Sequence, residues 1–189
     1  QKEIFEQPQA IADTLAGIEG IVPELFDHAD HPGRAAQVFQ GIESVLILAC
    51  GTSYYSGCVA KYWLESLAGM PCQVEVASEY RYRDSVPDPR TLVVTITQSG
   101  ETADTIAAVK QLKQQGHKVL GICNVKNSSL TRETDGCLFL KAGPEMSVCS
   151  TKAFTSQLVV LYLFALYMAN QGSIDELRRI PEQIQAVLE

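Results

Sequence analysis

Five short apolar runs stand out along the chain, at residues 44–50, 73–77, 91–97, 118–124 and 136–141. The first, third and fourth are almost unbroken in Val, Ile and Leu, the composition of strands buried on both faces of a parallel sheet. Between the runs the period changes. Tyr55, Cys58, Val59, Tyr62, Trp63 and Leu67 recur at three- and four-residue spacing, as do Ala103, Ile106, Val109 and Leu112, giving each stretch one apolar helical face. Gly116 stands where the second of these helices should end. Strand alternating with helix predicts βαβ units with right-handed crossovers. The fold class is therefore α/β: a three-layer αβα sandwich on a five-stranded parallel sheet, flavodoxin-like in strand order. Further helices are predicted over 2–17, 153–170 and 174–188, with a short one within 32–41, while 84–90, with Pro87 and Pro89, reads as a surface loop. The 189 residues fit one compact domain, a helical segment over 1–43 followed by the sandwich over 44–189.

Composition narrows the function. The longest apolar run, residues 158–169, falls short of the roughly 20 residues needed to cross a bilayer, so it reads as a buried core helix and not a membrane span. Lys and Arg number 15 against 22 Asp and Glu, a formal net charge of −7 with no basic stripe. Such a chain is a poor partner for nucleic acid, whose backbone is held by clustered positive charge. It remains able to hold one small phosphate with oriented dipoles. The six cysteines form no C-x-x-C pair and have no nearby histidine, and residues 1–9 are polar. Reduced cysteines, no metal, no cofactor and a cytoplasmic location are expected.

Candidate chemistry sits in three polar segments. Ala49-Cys50-Gly51-Thr52-Ser53-Tyr54 closes the first strand, and Thr97-Gln98-Ser99-Gly100-Glu101-Thr102 closes the third. Ser147-Val148-Cys149-Ser150-Thr151-Lys152 enters the long helix after the fifth. In the first two, a glycine permits a tight turn, and a hydroxyl lies beside the free N–H groups of a helix start. Those donors and the positive end of the helix dipole attract an anion. In the flavodoxin-like order the two strands are neighbours at the switch point, so one phosphate can touch both turns. Ser99 three residues before Thr102 is equally the pattern of an ordinary helix cap. Glu101 reads as a surface acid favoured by the helix dipole, and Lys152 as either a ligand partner or a solvated lysine. Cys50 has no base identifiable beside it, and His28, His31 and His117 are assigned no role.

Cys50-Gly51-Thr52-Ser53-Tyr54, Gln98-Ser99-Gly100-Glu101-Thr102-Ala103-Asp104-Thr105 and Ser150-Thr151-Lys152-Ala153-Phe154-Thr155 together resemble the sugar isomerase (SIS) domain family. The openings Gln1-Lys2-Glu3-Ile4-Phe5-Glu6-Gln7-Pro8 and Glu75-Val76-Ala77-Ser78-Glu79-Tyr80-Arg81-Tyr82-Arg83 are similar to the first of two such domains in the glutamine-dependent aminotransferases of hexose phosphates. The resemblance implies that Ser53, Thr97, Gln98, Ser99 and Thr102 contact the phosphate of fructose 6-phosphate or glucosamine 6-phosphate. Gly51, Thr52, Val148 and Ser150 would line the sugar. Thr97 replaces a common serine, which keeps the hydroxyl, and Cys149 replaces a common alanine. In that family a glutaminase domain, a second SIS domain and a C-terminal tail supply the nucleophile, the glutamate base, the Schiff-base lysine and a histidine. None has a counterpart here, so no catalytic residue is assigned. The chain is expected to bind without catalysing, and to form a homodimer. The alternatives are a free-standing regulatory module that senses a phosphosugar, and a complete small isomerase with Glu101 or Glu145 as base.

Overall fold

The computed structural model describes residues 1–28 and 31–189. Two helices open the chain, α1 (Lys2–Phe5) and α2 (Gln7–Leu15), followed by a 3₁₀ turn at Pro23–Phe26 and α3 (Ala35–Val38). The sandwich then runs β1 (Ser44–Ala49), α4 (Gly51–Ala68), β2 (Cys72–Val76), α5 (Ala77–Tyr80), β3 (Thr91–Thr97), α6 (Ala103–Gln114), β4 (Val119–Cys123), α7 (Ser129–Glu133) and β5 (Gly136–Phe139). It is completed by α8 (Lys152–Met168), α9 (Asp175–Arg178) and α10 (Ile180–Leu188). Among the described residues the sheet has five parallel strands in the order β2-β1-β3-β4-β5. This is the flavodoxin-like arrangement that the apolar runs predict.

Alternate residues of each strand serve opposite layers, as the two-residue strand period requires. Val45, Ile47, Val94, Ile96 and Ile122 pack with Ala60 and Leu64 of α4 and Val160 and Phe164 of α8. Leu46, Leu48 and Val93 pack with Tyr80 of α5, Val109 and Leu112 of α6, and Leu130 of α7. The other side of α8 is covered in turn: Val159 and Leu163 meet Ile11 and Leu15 of α2 and Leu177 of α9. A helix covered on both sides has no polar face, which accounts for the nearly continuous apolar run at 158–169.

Two helices predicted as continuous are broken. The stretch 2–17 divides at Glu6, because Pro8 has no N–H to reach the Ile4 carbonyl; the Gln7 side-chain amide donates to that carbonyl instead, at 2.9 Å. The stretch 174–188 divides at Arg179, just before Pro181. The short α5 and α7 were not anticipated, since four or five residues are too few to show a helical period. Gly116 follows the α6 cap residue Gln115: its N–H reaches the Lys113 carbonyl and that of His117 the Leu112 carbonyl, the two bonds of a Schellman ending.

Candidate functional site

The chain leaves β1 toward the α4/α8 layer and leaves β3 toward the α5/α6/α7 layer. Neighbouring strands that hand their helices to opposite faces open a crevice at their carboxyl ends. Ala49 and Ile96 are paired across the two strands, so the segments that follow them rise side by side. Between them lies a cleft of about 260 Å³. Thr52 and Ser53 come to it from the start of α4, and Thr97, Gln98, Ser99 and Thr102 from the β3–α6 turn. Val148 and Ser150 come from the loop before α8. Eight of the nine residues singled out from the sequence thus share one wall system. Gly51 is the ninth: it opens α4 at φ 58° and stands outside the cleft lining.

Two helix N-termini face the crevice without a side-chain cap. Cys50 precedes α4 and Thr102 precedes α6, and neither side chain bonds back to its helix. Their first-turn N–H groups have no partner within the helix, and the dipoles of two long helices add positive potential there. The pattern of Ser99 and Thr102 is therefore not that of an ordinary cap.

Three hydroxyls around this potential are oriented from behind. The Thr97 oxygen accepts from the Gly100 N–H at 3.1 Å, and the Ser99 oxygen from the Glu101 N–H at 3.2 Å. The Ser53 oxygen accepts from the side-chain amide of Gln157 at 3.0 Å. Gln157 is itself buried, with 1% of its surface exposed, and its carbonyl accepts from the Ser56 hydroxyl at 3.1 Å. A hydroxyl that already accepts an N–H keeps its own proton to donate. Among the described residues the lining carries no lysine or arginine. The site offers donors and dipoles in place of formal positive charge.

The third N-terminus is occupied. The Glu145 carboxylate accepts from the Thr151 N–H at 2.8 Å and from the Ser150 hydroxyl at 2.8 Å, ahead of α8. This gives the cleft an electrical polarity, with two free positive ends on the β1/β3 side and one fixed carboxylate on the α8 side. Cys50, Thr105, Glu145 and Ser147 also line the cleft. Thr105 was legible as the hydroxyl one helical turn beyond Thr102. The contact of Glu145 with a helix start six residues later depends on a loop path that carries no sequence signal.

Two side chains differ from their expected roles. Glu101 lies ahead of α6, not in its first turn, and its carboxylate accepts the Ser129 N–H at the start of α7, at 2.8 Å. Hydrogen bonds from Ser129, side chain first and then backbone, hold its carboxyl below the ordinary range. Lys152 neither reaches the cleft nor meets solvent: it is buried and paired with Glu6 at 2.7 Å. Burial pushes the Cys72 thiol up to about 12 and pushes the Cys137 thiol up as well, which makes both inert as nucleophiles. A larger groove of about 510 Å³ lies between α8 and α10, its walls mainly apolar, with Ile11, Trp63, Val159, Leu177 and Ile180 beside Arg179 and Gln183.

Residues 39–167, which hold most of this αβα sandwich and its crevice, match the SIS domain family. The chain belongs to it. Glutamine–fructose-6-phosphate aminotransferase (isomerizing) of Bordetella pertussis is 53% identical over 199 residues, an alignment covering 100% of this chain and 32% of that protein. The chain therefore spans about a third of the length of such relatives. The C-terminal domain of glucosamine-fructose-6-phosphate aminotransferase from Francisella tularensis superimposes with a TM-score of 0.79 at 44% identity, over 98% of this chain and 53% of that one. Tagatose-6-phosphate ketose/aldose isomerase from Escherichia coli shares the fold at a TM-score of 0.75 and 17% identity, over 99% of this chain and 52% of that one.

Proposed function

We propose that the cleft binds the 6-phosphate of a hexose, fructose 6-phosphate or glucosamine 6-phosphate. The phosphate lies over the free N-termini of α4 and α6, where Ser53, Thr97, Gln98, Ser99 and Thr102 donate to it. The sugar extends along Thr52, Val148 and Ser150, with Gly51 shaping the turn beneath. The observation that carries this assignment is the convergence of rear-braced hydroxyls and two uncapped helix starts on one cleft. A carboxylate at the opposite end favours one orientation, because it repels the dianion and accepts sugar hydroxyls.

The chain is, on this proposal, the first SIS domain of a glutamine–fructose-6-phosphate aminotransferase, which makes glucosamine 6-phosphate from fructose 6-phosphate and glutamine. The identity to aminotransferases over the whole chain supports it, as does the resemblance of residues 1–8 to the segment that opens the isomerase half. Its partners are the second SIS domain, the glutaminase domain and a second copy of the chain, and the reaction takes place in the cytoplasm. Among the described residues no side chain lining the cleft offers the lysine that imine formation with a ketose requires, so on this proposal the isolated domain binds and does not turn over.

Thermal unfolding tests binding. A ligand that binds only the folded state stabilises it by about 2.7 kcal/mol at roughly 100 times its Kd. Glucosamine 6-phosphate should raise Tm, and Ser99→Ala combined with Thr102→Ala should abolish the rise. An unchanged Tm at millimolar ligand, or an equal rise in the double variant, overturns the assignment.

A further inference from the structure

Residues 140–151 run from β5 to α8 without regular structure, yet they supply Glu145, Ser147, Val148 and Ser150 to the cleft. Glu145 braces the end of this loop from within, through Ser150 and Thr151, and contacts from elsewhere fix the rest. Asn124 holds its start at Ala142 and Gly143, and Thr14 and Ala16 of the N-terminal segment hold Lys141; two further contacts come from α1 and the residue after it. The Glu3 carboxylate accepts the N–H of Met146 at 2.6 Å and that of Ser147 at 3.2 Å. The Lys152 ammonium, its side chain 7% exposed, donates to Glu6 at 2.7 Å. A cation at the first position of a helix sits at the unfavourable end of the dipole, and a buried one requires a partner. Glu6 supplies both compensations. Hydrogen bonds to ionised carboxylates are about twice as strong as neutral ones, so α1 and its following residue hold the loop within its cleft-facing stretch and at the helix start that follows it. Neither Glu3 nor Glu6 lines the cleft.

We infer that Glu3 and Glu6 are positioning residues that fix the sugar-facing wall, so that the N-terminal helix governs affinity for the sugar but not for its phosphate; this rests on the cleft's assignment to a sugar monophosphate. The two sets of contacts are separable. The phosphate donors stand on the tips of β1 and β3 and on α4 and α6, which neither acid touches. Ser147, Val148 and Ser150 stand on the loop that both acids hold. Releasing the loop removes sugar contacts and leaves the phosphate donors in place.

The test uses the whole chain as wild type, Glu3→Ala, Glu3→Gln and Glu6→Gln, with two measurements on each. Amide exchange without ligand reads the loop directly. Titration with glucosamine 6-phosphate and with inorganic phosphate reads the consequence. In Glu3→Ala the Met146 and Ser147 amides should exchange faster while β1 and β3 stay protected. Affinity for glucosamine 6-phosphate should fall roughly tenfold, as expected for losing charge-assisted hydrogen bonds, and affinity for inorganic phosphate should stay within about twofold. Glu3→Gln, which keeps one acceptor oxygen, should lie between. Unchanged exchange at residues 146 and 147 overturns the inference, and so does an equal loss of affinity for both ligands. Wild-type protein that binds neither ligand overturns the assignment of the cleft itself, and the exchange data then decide the clamp alone.

Discussion

At the scale of single residues the site depends on hydrogen-bond direction. Ser53, Thr97 and Ser99 each accept one N–H from the protein, and that acceptance makes their hydroxyl protons available to a ligand. The presence of these hydroxyls was legible in the sequence; their orientation was not. It depends on Gln157, whose partner Ser53 lies 104 residues earlier in the chain. Gly100 is the residue that lets the β3–α6 turn form. Its φ is 71°, and a Cβ placed there would stand 2.0 Å from the Ser128 oxygen and 2.4 Å from the Ser128 Cβ. Left-handed strain costs about 1–2 kcal/mol and overpacking about 1–3 kcal/mol. Gly100→Ala is therefore expected to lose roughly 2–4 kcal/mol of stability in urea denaturation, together with phosphosugar binding. A loss under about 1 kcal/mol would show that the turn relaxes freely.

At the scale of elements, the strands and long helices announce themselves by period, while the breaks and clamps do not. The interruption at Pro181 follows from a missing N–H and was visible in the sequence to a stricter reading of proline; α5 and α7 are too short to be periodic. The role of Lys152 lay beyond any local pattern, since its partner is at the other end of the chain. That pair has a pH signature. The hydrogen bond from Lys152, and then its charge, hold the Glu6 carboxyl below its ordinary value of 4.5. A carboxyl lowered on folding stabilises the protein above its unfolded value, and the contribution disappears as pH falls through the lowered one. The stability difference between wild type and Glu6→Gln should be full above about pH 4.5 and shrink progressively in more acid solution. Urea midpoints measured from pH 3 to 7 check this; a difference that stays constant across the range would mean that the pair does not couple folding to protons.

For the whole molecule, the formal charge of −7 and a cleft lined, among the described residues, without lysine or arginine make an unusual prediction for the proposed anion site. Sites built on clustered cations lose affinity as salt screens them. Here the fixed dipoles act at contact distance, while the net charge repels the ligand from further away. Raising ionic strength should leave affinity for glucosamine 6-phosphate level or increase it slightly, as calorimetry in about 50 and about 300 mM of a weakly binding salt would show, where the Debye lengths are roughly 14 and 6 Å. A steep fall with salt would place a cation in the binding site. The parallel sheet and its order were legible because five apolar runs, each with one intervening connection, leave few right-handed arrangements. On the α8 side the sequence marked the segment and, through the family resemblance, Val148 and Ser150; the path of the loop that carries them was not legible, because an irregular loop is defined only by what it touches.

The bonds from Glu3 and Glu6 to residues 146, 147 and 152 also bear on how the protein is made. Synthesis proceeds at about 5–20 residues per second, so the opening helix leaves the ribosome several seconds before the segment it must grip. During that interval two acids and the apolar side of α2 wait without a partner. The cleft is consequently among the last parts of the domain to take shape, and a nascent chain halted before residue 152 would present a sheet with no completed pocket.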